Sequence, residues 1–397
     1  MKNKTLMILG GSRYVLPLIK KAHDLNVFVI TCDYLPKNVA HKYSDLYLNI
    51  SILDKEKVLE AARRFNIDGI TSFGCDPGVI TAAYVAEKLG LPSVGPYESV
   101  CILQNKDLFR DFLRKNGFNT PWSRTFSSPE IAAKVSNSFA YPVIVKPTDS
   151  AGSKGVTKVV DCEGMADAIR NAFDNSIGGK IIVEEFIEKE GCSSDSDCYS
   201  VNGKLDFVSF SNQYFDERCK NPFTPSAFMW PSSMSDIVRS ELKNELQRLI
   251  ALLNMKTSIY NVETRISKSG KPYIMEVSPR GGGNRIAEII TLHTGIDLIA
   301  RHIKDCLGIP CDDTFTYNKE KRIAEIIVHS LESGRYSGIQ IDNSIKHKIM
   351  QLDIWVKRGE FIDSFTGANK AIGTVIMSLD DNDEVETLQQ KITVKIK

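Results

Sequence analysis

Short apolar runs alternate with amphipathic segments through the first hundred residues of the chain. Residues 5–9 (TLMIL) have the unbroken apolar character of a strand buried on both faces. Residues 10–13 (GGSR) then read as a turn into a helix that runs through Ala22. A second strand, residues 27–31, closes at Asp33, residues 55–64 are amphipathic, 69–73 form a strand, and 81–89 form a helix ending at Gly90. This alternation predicts a parallel, doubly wound sheet. Sites in such sheets lie beyond the carboxyl ends of the strands, here residues 10–13, Asp33 and residues 74–78.

From Tyr97 onward the pattern changes. Residues 106–115 (KDLFRDFLRK) predict an amphipathic helix with Leu108, Phe109, Phe112 and Leu113 on its apolar face. A β-branched strand then ends at Lys146, a loop of small residues and lysine spans 149–156, and a strand resumes over 156–160. Residues 181–187 (IIVEEFI) read as a strand with one glutamate facing in and the other out. Residues 192–199 and 204–210 form a hairpin turning at Asn202-Gly203, while 214–234 has no regular period. An amphipathic helix over 237–253 leads to a second hairpin, 259–266 with 273–277, turning at Ser269-Gly270. Residues 286–303 are helical with a break near Gly295. Strand-like stretches at 322–330, 350–358 and 373–379, and a helix over 383–393, predict a small α+β domain at the carboxyl end, with no evident chemistry.

Composition narrows the class. A chain of 397 residues is too long for one small core, so two or three domains are expected. With 42% hydrophobic and 25% charged residues and a net charge of +1, nothing favours nucleic acid or a membrane surface as partner. No apolar run approaches the ~20 residues of a membrane span. Nine cysteines without paired spacing read as reduced thiols, which predicts a cytoplasmic protein. The six histidines are scattered, none at zinc-ligand spacing with a cysteine.

The chemistry concentrates in the second hairpin. Its turn sets Glu263 directly opposite Glu276. Alternation puts Asn261, Glu263 and Arg265 on one face and Glu276 and Ser278 on the matching one. Facing carboxylates need a shared proton, a cationic neighbour or a divalent cation. Ser278, Arg280, residues 281–283 (GGG) and Arg285 follow at once, a set that suits Mg²⁺ with a phosphate. Upstream, the small residues of 149–156 let backbone N–H groups converge on an anion, with Lys146 and Lys154 adding charge. This loop is not a Walker A motif, because no G-K-[ST] leads into a helix. An NAD(P)-binding oxidoreductase is an alternative resting on residues 10–13 and Asp33, but GGSRYVL lacks the third glycine of the dinucleotide fingerprint.

In this order the landmarks resemble the ATP-grasp superfamily of carboxylate–amine or carboxylate–thiol ligases, over Gly10 to about Asp305. The resemblance is nearest to the branch of the purine-biosynthesis ligases, biotin carboxylase, carbamoyl phosphate synthetase and the dipeptide ligases. It implies a Rossmann-like domain (1–100), a two-lobed ATP-grasp domain (101–308, flap lobe about 118–182) and a small carboxyl-terminal α+β domain (309–397). It implies ATP and Mg²⁺, with Mn²⁺ as a substitute, and small-molecule carboxylic acid and amine substrates; homodimer formation is compatible with the family. By resemblance, Lys106 and Lys146 contact nucleotide phosphates, and Ser150, Ala151, Gly152, Ser153, Lys154 and Gly155 fold over them. Glu184, Glu185, Phe186 and Ile187 correspond to the hinge that reads adenine through its backbone. Glu263 and Glu276 correspond to the metal ligands, and Arg280 to the arginine that holds a carboxylate or acyl phosphate; Arg285 could supply the same fork. Two departures stand out. Ser278 replaces the usual asparagine ligand, and Ser193 occupies the position of a ribose-binding glutamate, for which nearby Glu190 is the substitute. These departures motivate a further alternative, an ATP-binding module without ligase chemistry.

Overall fold

A computed structural model describes residues 4–150, 152–311, 315 and 321–397. The amino-terminal strands form a parallel sheet in the order Leu46–Leu48, Phe28–Cys32, Thr5–Leu9, Gly69–Ser72. Leu6, Met7, Ile8 and Leu9 are all fully buried, as an unbroken apolar run requires when helices cover both faces. The predicted helices appear as Leu16–Asp24, Lys55–Arg64 and Val79–Leu89, the last ended by Gly90 in the left-handed region at φ 64°. Leu46–Leu48 is too short to show a period.

Two antiparallel sheets follow. The first runs Ser123–Phe126, Ile181–Glu185, Val143–Pro147, Thr157–Val159. Helix Met165–Asp174 packs its Ala168, Ile169 and Ala172 into that sheet's core. The second runs Lys204–Phe207, Ser194–Val201, Ser258–Ile266, Pro272–Ser278. Helix Asp236–Leu252 lies on it through Leu242, Leu246, Leu249 and Ile250, against Tyr260, Val262, Ile274 and Val277. Helix Lys106–Lys115 adds Phe109 and Leu113 to this core. Its predicted apolar face needs correcting, since Leu108 is exposed while Arg110 is buried. The reason is a buried acid opposite Arg110, described below.

The carboxyl-terminal region also departs from expectation. Residues 214–234 were expected to be irregular, yet Asn212–Phe215 and Pro225–Trp230 are strands. They join Ile323–Val328, Gly373–Ser378 and Ile349–Ile354 in one antiparallel sheet, which therefore spans the expected boundary at 308/309. Residues 226–230 are buried, so the period of two that marks a half-exposed strand is absent. A smaller sheet, Phe361–Ile362, Gly334–Ile341, Ile392–Ile396, completes the tail. No helix among the described residues is long and apolar enough to cross a membrane.

The sheets meet at the glycine run. Gly74 N–H donates to the Gly281 carbonyl at 3.0 Å. A Cβ on Gly281 would lie 2.2 Å from the Phe73 ring, so only glycine permits this approach. The strand-end loops of the first sheet thus abut the end of the second hairpin.

Candidate active site

The hairpin Ser258–Ile266 with Pro272–Ser278 pairs Glu263 with Glu276, the register its turn predicts. The pairing slips by one residue between Glu263 and Thr264, a bulge beyond which the ladder resumes, from Thr264 with Ile274 to Ile266 with Pro272. On the other edge Glu263 pairs with Asp195 and Asn261 with Asp197. Two ladder rows result: Asp195, Glu263 and Glu276, then Asp197, Asn261 and Ser278. Asn261 Nδ2 donates to Asp195 Oδ1 at 2.7 Å and to Asp197 Oδ1 at 3.3 Å, binding the rows together. The alternation SDSD at 194–197 is a legible sign of these acids, which the expected metal set of Glu263, Glu276 and Ser278 leaves out.

Three carboxylates in one row repel, and each meets the problem differently. Lys106 Nζ lies 2.5 Å from Glu276 Oε1. Burial works against the Glu276 charge, but Lys106 and Lys146 outweigh it and hold the group below the usual carboxylate range. Burial, and then Glu276, push Glu263 up. Burial followed by the Glu263 charge raises Asp195 to about 8, and burial raises Asp197 to about 7 despite the Gly282 N–H. Hard oxygen donors short of positive charge suit a divalent cation at the Glu263–Glu276 pair. Ser278 sits one row along, its Oγ accepting from Gln104 Nε2 at 2.8 Å.

A second ionic centre stands beside the first. Glu184 is 2% exposed and lies between Arg110 Nε at 2.8 Å and Lys146 Nζ at 2.7 Å. Burial opposes its charge, yet Arg110 and Lys146 pull it down to about 2. Arg110 also donates to the Met275 carbonyl at 2.8 Å, tying helix Lys106–Lys115 to the hairpin that carries Glu263 and Glu276. Sequence reasoning passed over Arg110. The available signal was its spacing of four from Lys106, which places both cations on one helix face.

The structure revises the expected hinge. Glu184 pairs with Ser123 on one side and Ile144 on the other, so its backbone belongs to the sheet and its side chain holds cations. Glu185 is exposed, and its N–H donates to the Trp122 carbonyl at 2.9 Å. Phe186 N–H donates to the Pro142 carbonyl at 3.2 Å, and the Ile187 carbonyl accepts from Arg265 at 3.2 Å. Glu190 is exposed, with its N–H on the Ile266 carbonyl at 2.9 Å. Ser193 Oγ, at the departed ribose position, is buried without a hydrogen-bond partner.

The flap loop lies over Lys106. The Ser150 carbonyl accepts from Lys106 Nζ at 3.1 Å. Gly152, Ser153 and Gly155 all have positive φ, at 69°, 59° and 70°, a curved backbone that turns N–H groups inward. Ser153 Oγ donates to the Phe223 carbonyl at 2.9 Å and Asn221 Nδ2 to the Ser153 carbonyl at 3.1 Å, so the loop rests on residues 221–223. Lys154 is exposed, and Ala151 lies outside the described residues.

Arg280 and Arg285 part company. Arg280 forks onto Asp76 through Nε at 2.8 Å and Nη2 at 2.7 Å, while Nη1 reaches Asn261 and the Gly281 carbonyl, each at 3.0 Å. Its guanidinium is thus at the acidic rows, facing a carboxylate from the first sheet. Arg285 is the N-cap of helix Ile286–Thr294 and forks onto Glu288 at 3.2 and 3.1 Å, with Thr374 and Gln351 as further partners. The expectation that Arg285 could stand in for Arg280 is therefore corrected: its donors are committed to Glu288 on its own helix and to Thr374 and Gln351 of the carboxyl-terminal sheet.

The dinucleotide alternative finds its crevice filled. His41 Cε1 sits 2.3 Å from where a Gly11 Cβ would project, and Asp33 accepts from Asn38 Nδ2 at 2.8 Å and Leu35 N–H at 3.1 Å. A 540 Å³ cavity lies elsewhere, lined in part by Thr71, His302, Cys306 and Pro279; none of the charged residues above borders it.

Residues 103–284 match the family model of the ATP-grasp domain. The carbamoyl phosphate synthase large chain of Thermotoga neapolitana is 27% identical over 258 residues, 64% of this chain and 23% of that one. The chain spans 22–46% of the length of the curated relatives it matches. Among solved structures, L-amino acid ligase from Bacillus licheniformis superposes with a TM-score of 0.82 at 21% identity, covering 100% of both chains. The biotin carboxylase domain dimer of Hydrogenobacter thermophilus 2-oxoglutarate carboxylase, solved with MgADP and bicarbonate, gives 0.73 at 13% identity over 99% of this chain and 91% of that one.

Proposed function

Because the chain carries an ATP-grasp domain, we propose that it is a Mg-ATP-dependent ligase acting on a small-molecule carboxylate. The acid's oxygen bonds to the γ-phosphorus as the bond to ADP breaks. The carbonyl carbon of the resulting acyl phosphate then takes an amine or similar nucleophile, phosphate leaves, and the nucleophile gives up its proton. The observation that carries this reading is the facing pair Glu263 and Glu276, with Lys106 on Glu276 and, on the neighbouring sheet, Lys146 on Glu184.

Glu263 and Glu276 would hold Mg²⁺ or Mn²⁺ in this reading, with Ser278 one row along as a neutral donor, and the cation would supply charge that neutralises the phosphates. Everything else falls to the chain. Lys106 and Lys146 exchange their carboxylate partners for phosphate oxygens, and the flap loop excludes water above them. Arg110 keeps Glu184 charged, which holds Lys146 in place when no phosphate is present. Arg280 takes the acid substrate in the position that Asp76 now fills, because a guanidinium fork suits one carboxylate as well as another.

The second reading, an ATP binder without ligase chemistry, draws on Ser278, a neutral ligand already engaged by Gln104. One experiment separates them. Mg-ATP should raise the melting temperature, and a screen of carboxylic acids with amines should find a pair that stimulates ADP and phosphate release. Stabilisation by Mg-ATP with no acid stimulating release would leave the inert binder. Stabilisation by NADPH instead would overturn both.

A further inference from the structure

We propose that Asp216, Cys219 and His329 form a zinc site at the root of the loop that supports the flap. The three come from two places, Asp216 and Cys219 from the segment after strand Asn212–Phe215 and His329 from the end of strand Ile323–Val328. One ligand atom from each lies within 4.8 Å of the others. Asp216 and Cys219 are each 7% exposed.

The histidine sets the argument. His329 Nδ1 lies 2.7 Å from the Ile327 carbonyl, which only accepts, so Nδ1 carries the hydrogen. In the neutral ring Nε2 is then a lone pair, and it lies 3.2 Å from Asp216 Oδ2, another acceptor. A cation belongs between them. Two oxygen or nitrogen ligands of a tetrahedral zinc stand about 3.4 Å apart, from bond lengths of about 2.0–2.2 Å. A proton alone would satisfy the pair, but it gives no role to the third donor, Cys219 Sγ, gathered at the same point.

The supports of a metal site are also in place. Ligating histidines donate their second N–H to a carbonyl or carboxylate, and ligating carboxylates are themselves hydrogen-bonded. His329 has the Ile327 carbonyl, and its ring stacks on Phe365 at 4.4 Å. Asp216 accepts from Arg218 Nε at 2.8 Å and Nη2 at 2.7 Å. A 240 Å³ cavity borders Arg218, His329 and Ser330. A mixed N, O and S donor set favours zinc over magnesium or calcium. On binding, the Cys219 S–H bond breaks, a sulfur–zinc bond forms and the proton passes to solvent, with no change of oxidation state.

The position gives the site a consequence. Two residues beyond Cys219, Asn221 Nδ2 holds the carbonyls of Ser153 and Thr366, each at 3.1 Å, so the metal would anchor the support of the flap. The test uses the full chain, stripped with a chelator and reloaded with Zn²⁺ or Co²⁺. We expect one tightly held Zn²⁺ per chain, release of a proton, a rise in melting temperature, and a sulfur-to-cobalt charge-transfer band with Co²⁺. Cys219→Ser should abolish that band, and His329→Gln should weaken zinc binding at least a hundredfold. If a variant fails to fold, the wild-type cobalt spectrum still decides. Absence of the charge-transfer band, or a band that survives Cys219→Ser, would overturn the proposal, as would zinc binding unchanged in His329→Gln.

Discussion

Glu184 and Glu325 are both buried glutamates in the middle of antiparallel sheets, and their ionisation is opposite. Glu184 touches Arg110 and Lys146 and is held down to about 2. Glu325 is fully buried with neither carboxylate oxygen hydrogen-bonded, and burial raises it well above the usual range although Arg285 draws it down. Arg285 spends its fork on Glu288 instead. Burial therefore does not mark the site. What marks it is burial of charge that contact with cations sustains, because such an arrangement is stable only where countercharges are built in or a ligand supplies them.

The comparison is broken most severely at the metal pair. Glu276→Gln removes one of two facing anionic ligands and the partner of Lys106, while leaving the sheet's packing unchanged. Turnover should fall about a hundredfold or more, with the melting temperature near wild type. A variant with wild-type rate and Mg²⁺ dependence would remove this site from the reaction. Next in size is Glu184→Gln, which strands two buried cations. Breaking a buried ion pair on one side costs roughly 3–5 kcal/mol, to be read from urea denaturation. A loss below about 1 kcal/mol would mean that Arg110 and Lys146 do not depend on this acid.

Arg280→Lys tests the cleft between the two sheets. Charge is kept but the fork is lost, so Asp76 and Asn261 cannot both be held as they are now. We expect the KM for the acid substrate to rise about tenfold, roughly 1.4 kcal/mol, with ATP affinity within about twofold. Parallel loss of ATP binding and melting temperature would give Arg280 a structural role, through Asp76, in joining the first sheet to the hairpin.

Much of this was legible because local rules decide it. Turn position fixes the register of a hairpin to within one residue. The ladder beside the turn runs from Ile266 with Pro272 to Thr264 with Ile274, and the bulge beyond Thr264 brings Glu263 opposite Glu276, the pairing expected from Ser269-Gly270. Unbroken apolar runs fix the parallel sheet. The missed features depend on partners far away in sequence. Arg110 is inside because Glu184, seventy-four residues on, needs it. Strand Pro225–Trp230 shows no period because Ile323–Val328 covers its edge and both its faces are buried. Arg285 reads like a second substrate arginine until Glu288, Gln351 and Thr374 are found around it. The histidines were dismissed on spacing along the chain, which says nothing about His329 meeting Cys219.

The smallest effect, and the sharpest contrast, comes from Glu325→Gln. Burial raises Glu325 and so favours its protonated form in the fold, which glutamine matches in shape and charge. No cation loses a partner. Below the unfolded carboxyl value of about 4.5 both states are protonated and the substitution should change stability by less than about 1 kcal/mol. As pH rises, the unfolded wild type ionises while the folded one does not, so wild type loses up to about 1.4 kcal/mol per pH unit that the variant keeps. The variant should therefore gain on wild type from pH 4.5 toward 7. Glu184 runs the other way: its folded value is depressed, so its contribution is complete above about 4.5 and is lost as pH falls toward 2. Urea midpoints should show Glu325→Gln gaining on wild type from pH 4.5 toward 7, while the deficit of Glu184→Gln stays constant over that range and shrinks only as pH falls from about 4.5 toward 2. A Glu325→Gln curve parallel to wild type would mean that Glu325 ionises in the fold and that Arg285 serves it after all.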